Sequence, residues 1–215
     1  MTHAKTLNVL LVDDHPALRA GLRSALSGEP GLIVQGDVAS GEEAYAWYRD
    51  HRPDVVVMDL SMVGYGGLES LRRIRQFDPQ ARVLVYTVHD SEVILNRALS
   101  LGALGYVTKA SDIGILVKGI REVARQRGYI SPDMIPAMVR KHTLLERPLL
   151  EQLSSREFQI LLLTAQGQKI VDCARTLNLS EKTVRNHLTH IKVKLDVSDT
   201  AALIRLAIRA GLAEA

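Results

Sequence analysis

The sequence predicts an α/β fold: a doubly wound, five-stranded parallel sheet, followed by a second, smaller all-α domain. Three observations carry that expectation. Short apolar runs alternate with helix-period segments through residues 7–127, the pattern of strand–helix units whose sheet is covered on both faces. The runs end in chemically pointed residues: Asp13-Asp14, Asp59, Thr87 and Lys109. From about residue 150 the strand pattern stops and helix periodicity alone remains.

In chain order, strands are expected near 7–12, 32–37, 54–59, 82–86 and 104–107, with helices near 15–28, 40–51, 67–77, 90–101 and 111–126. Leu18, Leu22 and Leu26 share a helix face, as do Leu68, Leu71, Ile74 and the stem of Arg75. Asp13, Asp54 and Asp112 stand at boundaries where an acid or cap is at home, and Pro53 ends the second helix. Residues 1–127 therefore form one expected domain. Residues 128–151 form a helical linker, with Ser131-Pro132-Asp133 opening a helix through Leu145. Residues 152–215 form the second domain. There Ser154 and Glu157 make a capping box before Phe158-Gln159-Ile160-Leu161. Segments Lys169–Leu177 and Ser180–Leu195 are joined by a tight Asn178-Leu179 turn, and Ser198 opens a last helix.

Composition excludes several classes. Of the 215 residues 47% are hydrophobic and only 4% aromatic, so the core is aliphatic. No apolar run approaches the ~20 residues that span a bilayer, and the N-terminus enters a strand without the apolar region of a signal peptide. A cytoplasmic protein with no membrane partner is expected. The lone cysteine, Cys173, excludes a disulfide framework or Cys-rich zinc site and reads as a small core residue. Residues 1–127 carry 15 basic and 15 acidic side chains, whereas residues 128–215 carry 12 and 9. All of the net charge of +3 thus lies in the C-terminal part, a mild pointer to an anionic partner there.

In an open parallel sheet the carboxyl ends of the strands share one edge, where ligands bind. Singly, Asp13 and Asp14 read as a cap and a solvated acid, Thr87 as structural and Lys109 as solvated. Together Asp13, Asp14 and Asp59 make the hard-oxygen cluster that Mg²⁺ prefers. Asp59 would then attack a phosphoryl group as a carboxylate nucleophile. Lys109 would pair with phosphoryl oxygens as a point charge, and Thr87 would donate its hydroxyl.

In the second domain, Val184, Leu188, Ile191 and Leu195 form one buried stripe on the Ser180–Leu195 helix. Lys182, Arg185, Asn186, Thr189 and Lys192 then face away, with Lys194 beside them. On this helix alone they read as an ordinary solvated face. The helix and turn before it complete a helix-turn-helix layout, whose second helix can enter a major groove.

Leu11-Val12-Asp13-Asp14-His15-Pro16, Met58-Asp59-Leu60-Ser61-Met62, Tyr86-Thr87 and Gly105-Tyr106-Val107-Thr108-Lys109 resemble the receiver domain of two-component response regulators, a flavodoxin-like fold. Leu153-Ser154-Ser155-Arg156-Glu157, Leu179 to His187 and Lys194-Leu195-Asp196-Val197 resemble the LuxR-type helix-turn-helix. The combination is similar to the NarL/FixJ family, and Gly66-Gly67-Leu68-Glu69 and Tyr129-Ile130-Ser131-Pro132 to its GacA/UvrY-like subgroup. The resemblance implies Asp59 as phosphoacceptor, and Asp13, Asp14, Asp59 and the Ser61 carbonyl around Mg²⁺. It implies Lys109 as the phosphate-binding lysine, with Thr87 and Tyr106 as a coupled switch in which Tyr106 moves inward on phosphorylation. In the second domain it implies base contacts from Arg185, Asn186 and Thr189, and further DNA contacts from Lys182, Thr183, Lys192 and Lys194. The implied partners are a sensor histidine kinase, a double-stranded DNA operator, and a second copy of the phosphorylated chain through the last helix. The receiver would catalyse only its own phosphorylation and dephosphorylation. Val63 and Ala110 stand where the family usually has proline, and Lys169 to Ala174 departs from its pattern.

Two readings from other classes compete. An orphan regulator would bind DNA without phosphorylation; the full set of acids, Thr87 and Lys109 argues against it, and Val63 is the one feature in its favour. A doubly wound phosphatase or hydrolase would need a second general acid or a cap domain, neither of which the sequence offers.

Overall fold

The computed structural model describes residues 6–135 and 147–213. They divide into two compact units, Met1–Asp90 with Ala98–Pro136 and Ser91–Arg97 with Ala137–Ala215.

The first unit contains the strands β1 (Leu7–Val12), β2 (Leu32–Val38), β3 (Val55–Met58), β4 (Val83–Thr87), β5 (Gly105–Thr108) and β6 (Tyr129–Ile130). Between them in the chain run α1 (Pro16–Ser27), α2 (Gly41–His51), α3 (Gly66–Phe77), α4 (Glu92–Ser100) and α5 (Ile113–Ala124), the α4 residues up to Arg97 being grouped with the second unit. The sheet order is β2-β1-β3-β4-β5-β6 and every pairing is parallel. The sheet has six strands, not the expected five. The extra one, β6, falls in the segment assigned to the linker, and two residues are too few to carry a period-2 signal. Its backbone makes the strand, with Tyr129 and Ser131 donating to the carbonyls of Leu104 and Tyr106. The helix expected from Ser131 opens as a 3₁₀ turn at Pro132–Met134; its remainder lies outside the described residues.

Strand alternation sorts the core into two layers. Val9, Leu11, Val55, Val57, Leu84 and Val107 meet Leu22 and Leu26 of α1 and Leu116, Ile120 and Val123 of α5 in one cluster. Leu10, Val12, Val56, Met58, Val83, Val85 and Tyr106 point the other way and are equally buried. At the outer strand, the β1–β2 register slips between Val9 and Leu10, and Gly36 then leaves bare backbone under the Trp47 ring. A Cβ at Gly36 would stand 2.6 Å from that ring.

The second unit holds α6 (Arg147–Glu151), α7 (Ser155–Ala165), α8 (Ile170–Thr176), α9 (Glu181–Lys194) and α10 (Thr200–Arg209). The capping box forms: Ser154 Oγ accepts from Glu157 N at 3.2 Å, and Glu157 Oε2 accepts from Ser154 N at 2.8 Å. Between α8 and α9, Asn178 takes a left-handed φ of 51° and Leu179 N returns to Ala174 O, a short-helix stop of the kind asparagine tolerates. Val184, Leu188, Ile191 and Leu195 are buried as one stripe. The last helix is capped by Asp199 rather than Ser198. Asp199 Oδ1 accepts from Ala202 N at 2.8 Å, and the Ser198 hydroxyl instead donates to the Asp199 carboxylate. Cys173 is buried. Among the described residues no helix is long and apolar enough to cross a membrane.

Candidate functional site

The carboxyl ends of β1, β3, β4 and β5 bring Asp13, Asp14, Asp59, Thr87 and Lys109 to one edge. Asp59 is 1% exposed although it ends a strand. Its Oδ1 accepts from Leu60 N at 2.7 Å and Ser61 N at 3.2 Å, and its Oδ2 from Lys109 Nζ at 2.7 Å. The same ammonium lies 2.7 Å from Asp13 Oδ2. One lysine thus pairs with two buried carboxylates. Burial opposes the charge on Lys109, but the hydrogen bonds to Asp13 and Asp59 outweigh it and hold the pKa above the ordinary lysine value.

Asp13 Oδ1 accepts from His15 N at 2.8 Å. Asp14 sits at the rim, with Oδ1 2.9 Å from His15 Nδ1 and Oδ2 accepting from Val63 N at 3.2 Å. Ligand atoms of Asp13, Asp14, His15 and Asp59 all lie within 4.8 Å of one another. Three carboxylates this close fit a small divalent cation that takes few protein ligands and keeps water. His15 was not singled out from the sequence, although its place directly after Asp13-Asp14 was a signal.

Glycine explains how α3 comes so near. A Cβ on Gly67 would stand 2.0 Å from the Asp59 carbonyl oxygen and 2.6 Å from Leu60 Cα. The Gly-rich stretch is therefore a condition of seating the helix against the acid, while Gly64 turns the loop at φ 82°.

Thr87 is fully buried, and its Oγ1 has no hydrogen-bond partner among the described residues. A buried hydroxyl without a partner is unfavourable unless something arrives to accept from it. Tyr106, expected to move inward, is already inside: the residue is 0% exposed and its hydroxyl donates to His89 O at 2.9 Å. Burial pushes its pKa far above the tyrosine range, so it is a neutral donor. That carbonyl satisfies the phenol, which is what allows the ring to be buried. His89 also meets the Asp59 loop, with Nε2 2.9 Å from Ser61 Oγ. Burial lowers the His89 pKa against the pull of Asp59 and Asp90.

On α9, Lys182, Arg185, Asn186 and Thr189 are exposed, whereas Thr183 and Lys192 are half-buried. Thr183 belongs to the helix start: its N–H donates to Ser180 Oγ at 3.1 Å. Arg185 pairs with Glu181 at 3.1 Å on the surface, a partner easily exchanged. Val193 is 76% exposed and continues the helical spacing of Lys182, Asn186 and Thr189. Lys194 is engaged elsewhere. Its Nζ lies 2.6 Å from Glu157 Oε2, a carboxylate buried under the capping box.

Residues 9–121 match the response regulator receiver domain, and residues 151–207 the bacterial regulatory proteins of the luxR family. The chain belongs to the LuxR-type response regulators. This response regulator is 37% identical over 211 residues to the response regulator UvrY of Escherichia coli, with 97% of each chain covered. It is 36% identical to the response regulator GacA of Pseudomonas viridiflava over 97% of its own length and 99% of that relative. A two-component response regulator of the LuxR family from Aurantimonas has 42% identity and a TM-score of 0.61, covering 62% of this chain and 96% of that one. RcsB of Salmonella enterica serovar Typhimurium, bound to the rprA promoter with a phosphomimetic, gives 25% identity and a TM-score of 0.65 over 94% and 98%. The protein is accordingly a transcriptional regulator of a two-component system.

Proposed function

We propose that this regulator is switched by phosphorylation of Asp59, and that the phosphorylated form dimerises and binds an operator through α9. The observation that carries the reading is a pair of groups at the same sheet edge as Asp59: an ammonium shared between Asp59 and Asp13, and a buried Thr87 hydroxyl with no partner among the described residues. A phosphoryl group on Asp59 would give the Thr87 hydroxyl an acceptor and the Lys109 ammonium a further one.

In the reaction, a carboxylate oxygen of Asp59 forms a bond to phosphorus as the donor's phosphorus–nitrogen or phosphorus–oxygen bond breaks, the leaving group keeping the electron pair. With a sensor kinase the donor is a phosphohistidine. Mg²⁺ held by Asp13, Asp14, Asp59 and the Ser61 carbonyl would offset the gathered negative charge. Lys109 keeps its proton and follows the phosphoryl oxygens, Thr87 turns its hydroxyl onto one of them, and the Leu60 and Ser61 N–H groups hold the carboxylate in place. Since Tyr106 is already inside, the switch centres on Thr87 and the loop that follows it. The receiver module runs through β6 to Ile130, the linker continues to residue 151, and the DNA-binding module follows. The DNA face comprises Lys182, Thr183, Arg185, Asn186, Thr189 and Lys192. Lys194, tied to Glu157, is left out. The promoter-bound RcsB supports this reading of the second unit.

The test is intact-protein mass after incubation with Mg²⁺ and acetyl phosphate. Wild type should gain one phosphoryl group and Asp59→Ala none. Equal labelling of both, or of neither beside a receiver that labels, removes Asp59 as acceptor.

A further inference from the structure

The loop from β3 to α3 is held by its backbone N–H groups. Those of Leu60 and Ser61 go to Asp59 Oδ1, that of Val63 to Asp14 Oδ2 at 3.2 Å, and that of Tyr65 to Glu42 Oε1 at 3.2 Å. Three carboxylates from three different segments therefore grip four amides within six residues. Of these bonds, the Val63 one joins the loop to an acid of the β1 end. The Val63 side chain is 51% exposed and does not explain the residue by packing. What this position contributes is its amide proton.

We propose that the Val63 N–H is a positioning donor for Asp14, and so sets the affinity of the acidic cluster for a divalent cation. The inference rests on the reading of Asp13, Asp14 and Asp59 as the metal site. Asp14 is the most exposed of the three acids, its side chain 19% accessible against 3% for Asp13 and 1% for Asp59. It therefore has the most rotational freedom to lose on binding. A donor fixed on Oδ2 selects one orientation of the carboxylate and leaves Oδ1, 2.9 Å from His15 Nδ1, as the oxygen that would be shared between that ring and the cation. Outer-sphere partners of this kind typically change metal affinity by about 10- to 100-fold. A single 3.2 Å bond from a loop belongs at the lower end.

The experiment is calorimetric titration of the full chain with Mg²⁺ alone, for wild type, Val63→Ala, Val63→Pro, Asp14→Ala and the double variant Val63→Pro/Asp14→Ala. Val63→Ala keeps the amide proton and should bind as wild type does. Val63→Pro removes it and should bind roughly tenfold more weakly. In the Asp14→Ala background, which leaves the amide no side-chain acceptor, the proline should change nothing further, because the pair is one interaction. A Val63→Pro chain that binds like wild type overturns the proposal. So does an Ala variant as weak as the Pro variant, or a proline effect of equal size without the Asp14 carboxylate, which would put the cause in loop dihedrals. Should Val63→Pro fail to fold, hydrogen exchange decides: the Val63 amide must exchange more slowly in wild type than in Asp14→Ala, and equal rates overturn the idea. A wild-type chain that takes up no Mg²⁺ overturns the metal-site reading itself, and with it this inference.

Discussion

Lys194 shows what one side chain can conceal. Its place on α9 beside Lys192 suggests a phosphate contact, yet its ammonium neutralises Glu157, whose side chain is 6% exposed. Burial alone would raise the Glu157 pKa, but Lys194 and the Ser154 N–H and hydroxyl outweigh it and hold it below the usual value. A carboxylate with a lowered folded pKa stabilises the fold above its unfolded pKa, near 4.5, and loses that contribution as pH falls through the folded value. Lys194→Ala should therefore lower the stability of the helical unit by about 1–2 kcal/mol, between an exposed and a fully buried pair. The loss should be largest near neutral pH and shrink in acid, as read by helical ellipticity melts. An unchanged melting temperature at pH 7 would return Lys194 to the DNA face. A helical wheel shows which way a side chain points along its own helix; it cannot show a partner 37 residues away. The same blindness applies to Val63 and Asp14, 49 residues apart. Asp13, Asp14, Asp59, Thr87 and Lys109 were legible because each sits at a strand end, where position alone says which edge it faces.

Elements were legible wherever periodicity had room to repeat. The first five strands and α1 to α5 fall where the apolar spacing puts them, whereas β6 escaped notice because a two-residue strand leaves no pattern. Element placement also hangs on single atoms. Gly67→Ala would drive a Cβ into the backbone of Asp59 and Leu60, neither of which can swing aside. Overpacking of this kind costs about 1–3 kcal/mol, so the first unit should melt lower. Phosphoryl transfer from acetyl phosphate to the proposed acceptor should also slow, since α3 can relax only by displacing the strand end that carries Asp59. Normal labelling kinetics would mean the helix docks independently of Asp59. For α9, Arg185→Ala should weaken binding to a duplex selected from a random pool by about 1–3 kcal/mol, the worth of a bidentate base contact. Fluorescence anisotropy at fixed salt reads this, and an unchanged affinity would remove Arg185 from the readout.

For the whole molecule, the question is how much free energy one phosphoryl group must deliver. Moving a two-state equilibrium from 1:99 to 99:1 takes roughly 5.5 kcal/mol. Under the proposed switch, the inner position that Tyr106 already occupies would make the demand on phosphorylation smaller than in a chain that must first bring the ring in. Phosphorylation should accordingly raise DNA affinity in wild type and leave Asp59→Ala unaffected. Equal response of the two would favour a regulator that acts without phosphate.

The ring that rests on Gly36 has a practical consequence as well. Trp47 is the only tryptophan, and all six tyrosines lie between positions 45 and 129, so residues 130–215 contain neither. Near-ultraviolet absorption and indole emission therefore watch the sheet-containing unit almost alone, while far-ultraviolet ellipticity watches both. Recording the two signals in one melt follows the units separately, with no label and no dissection of the chain.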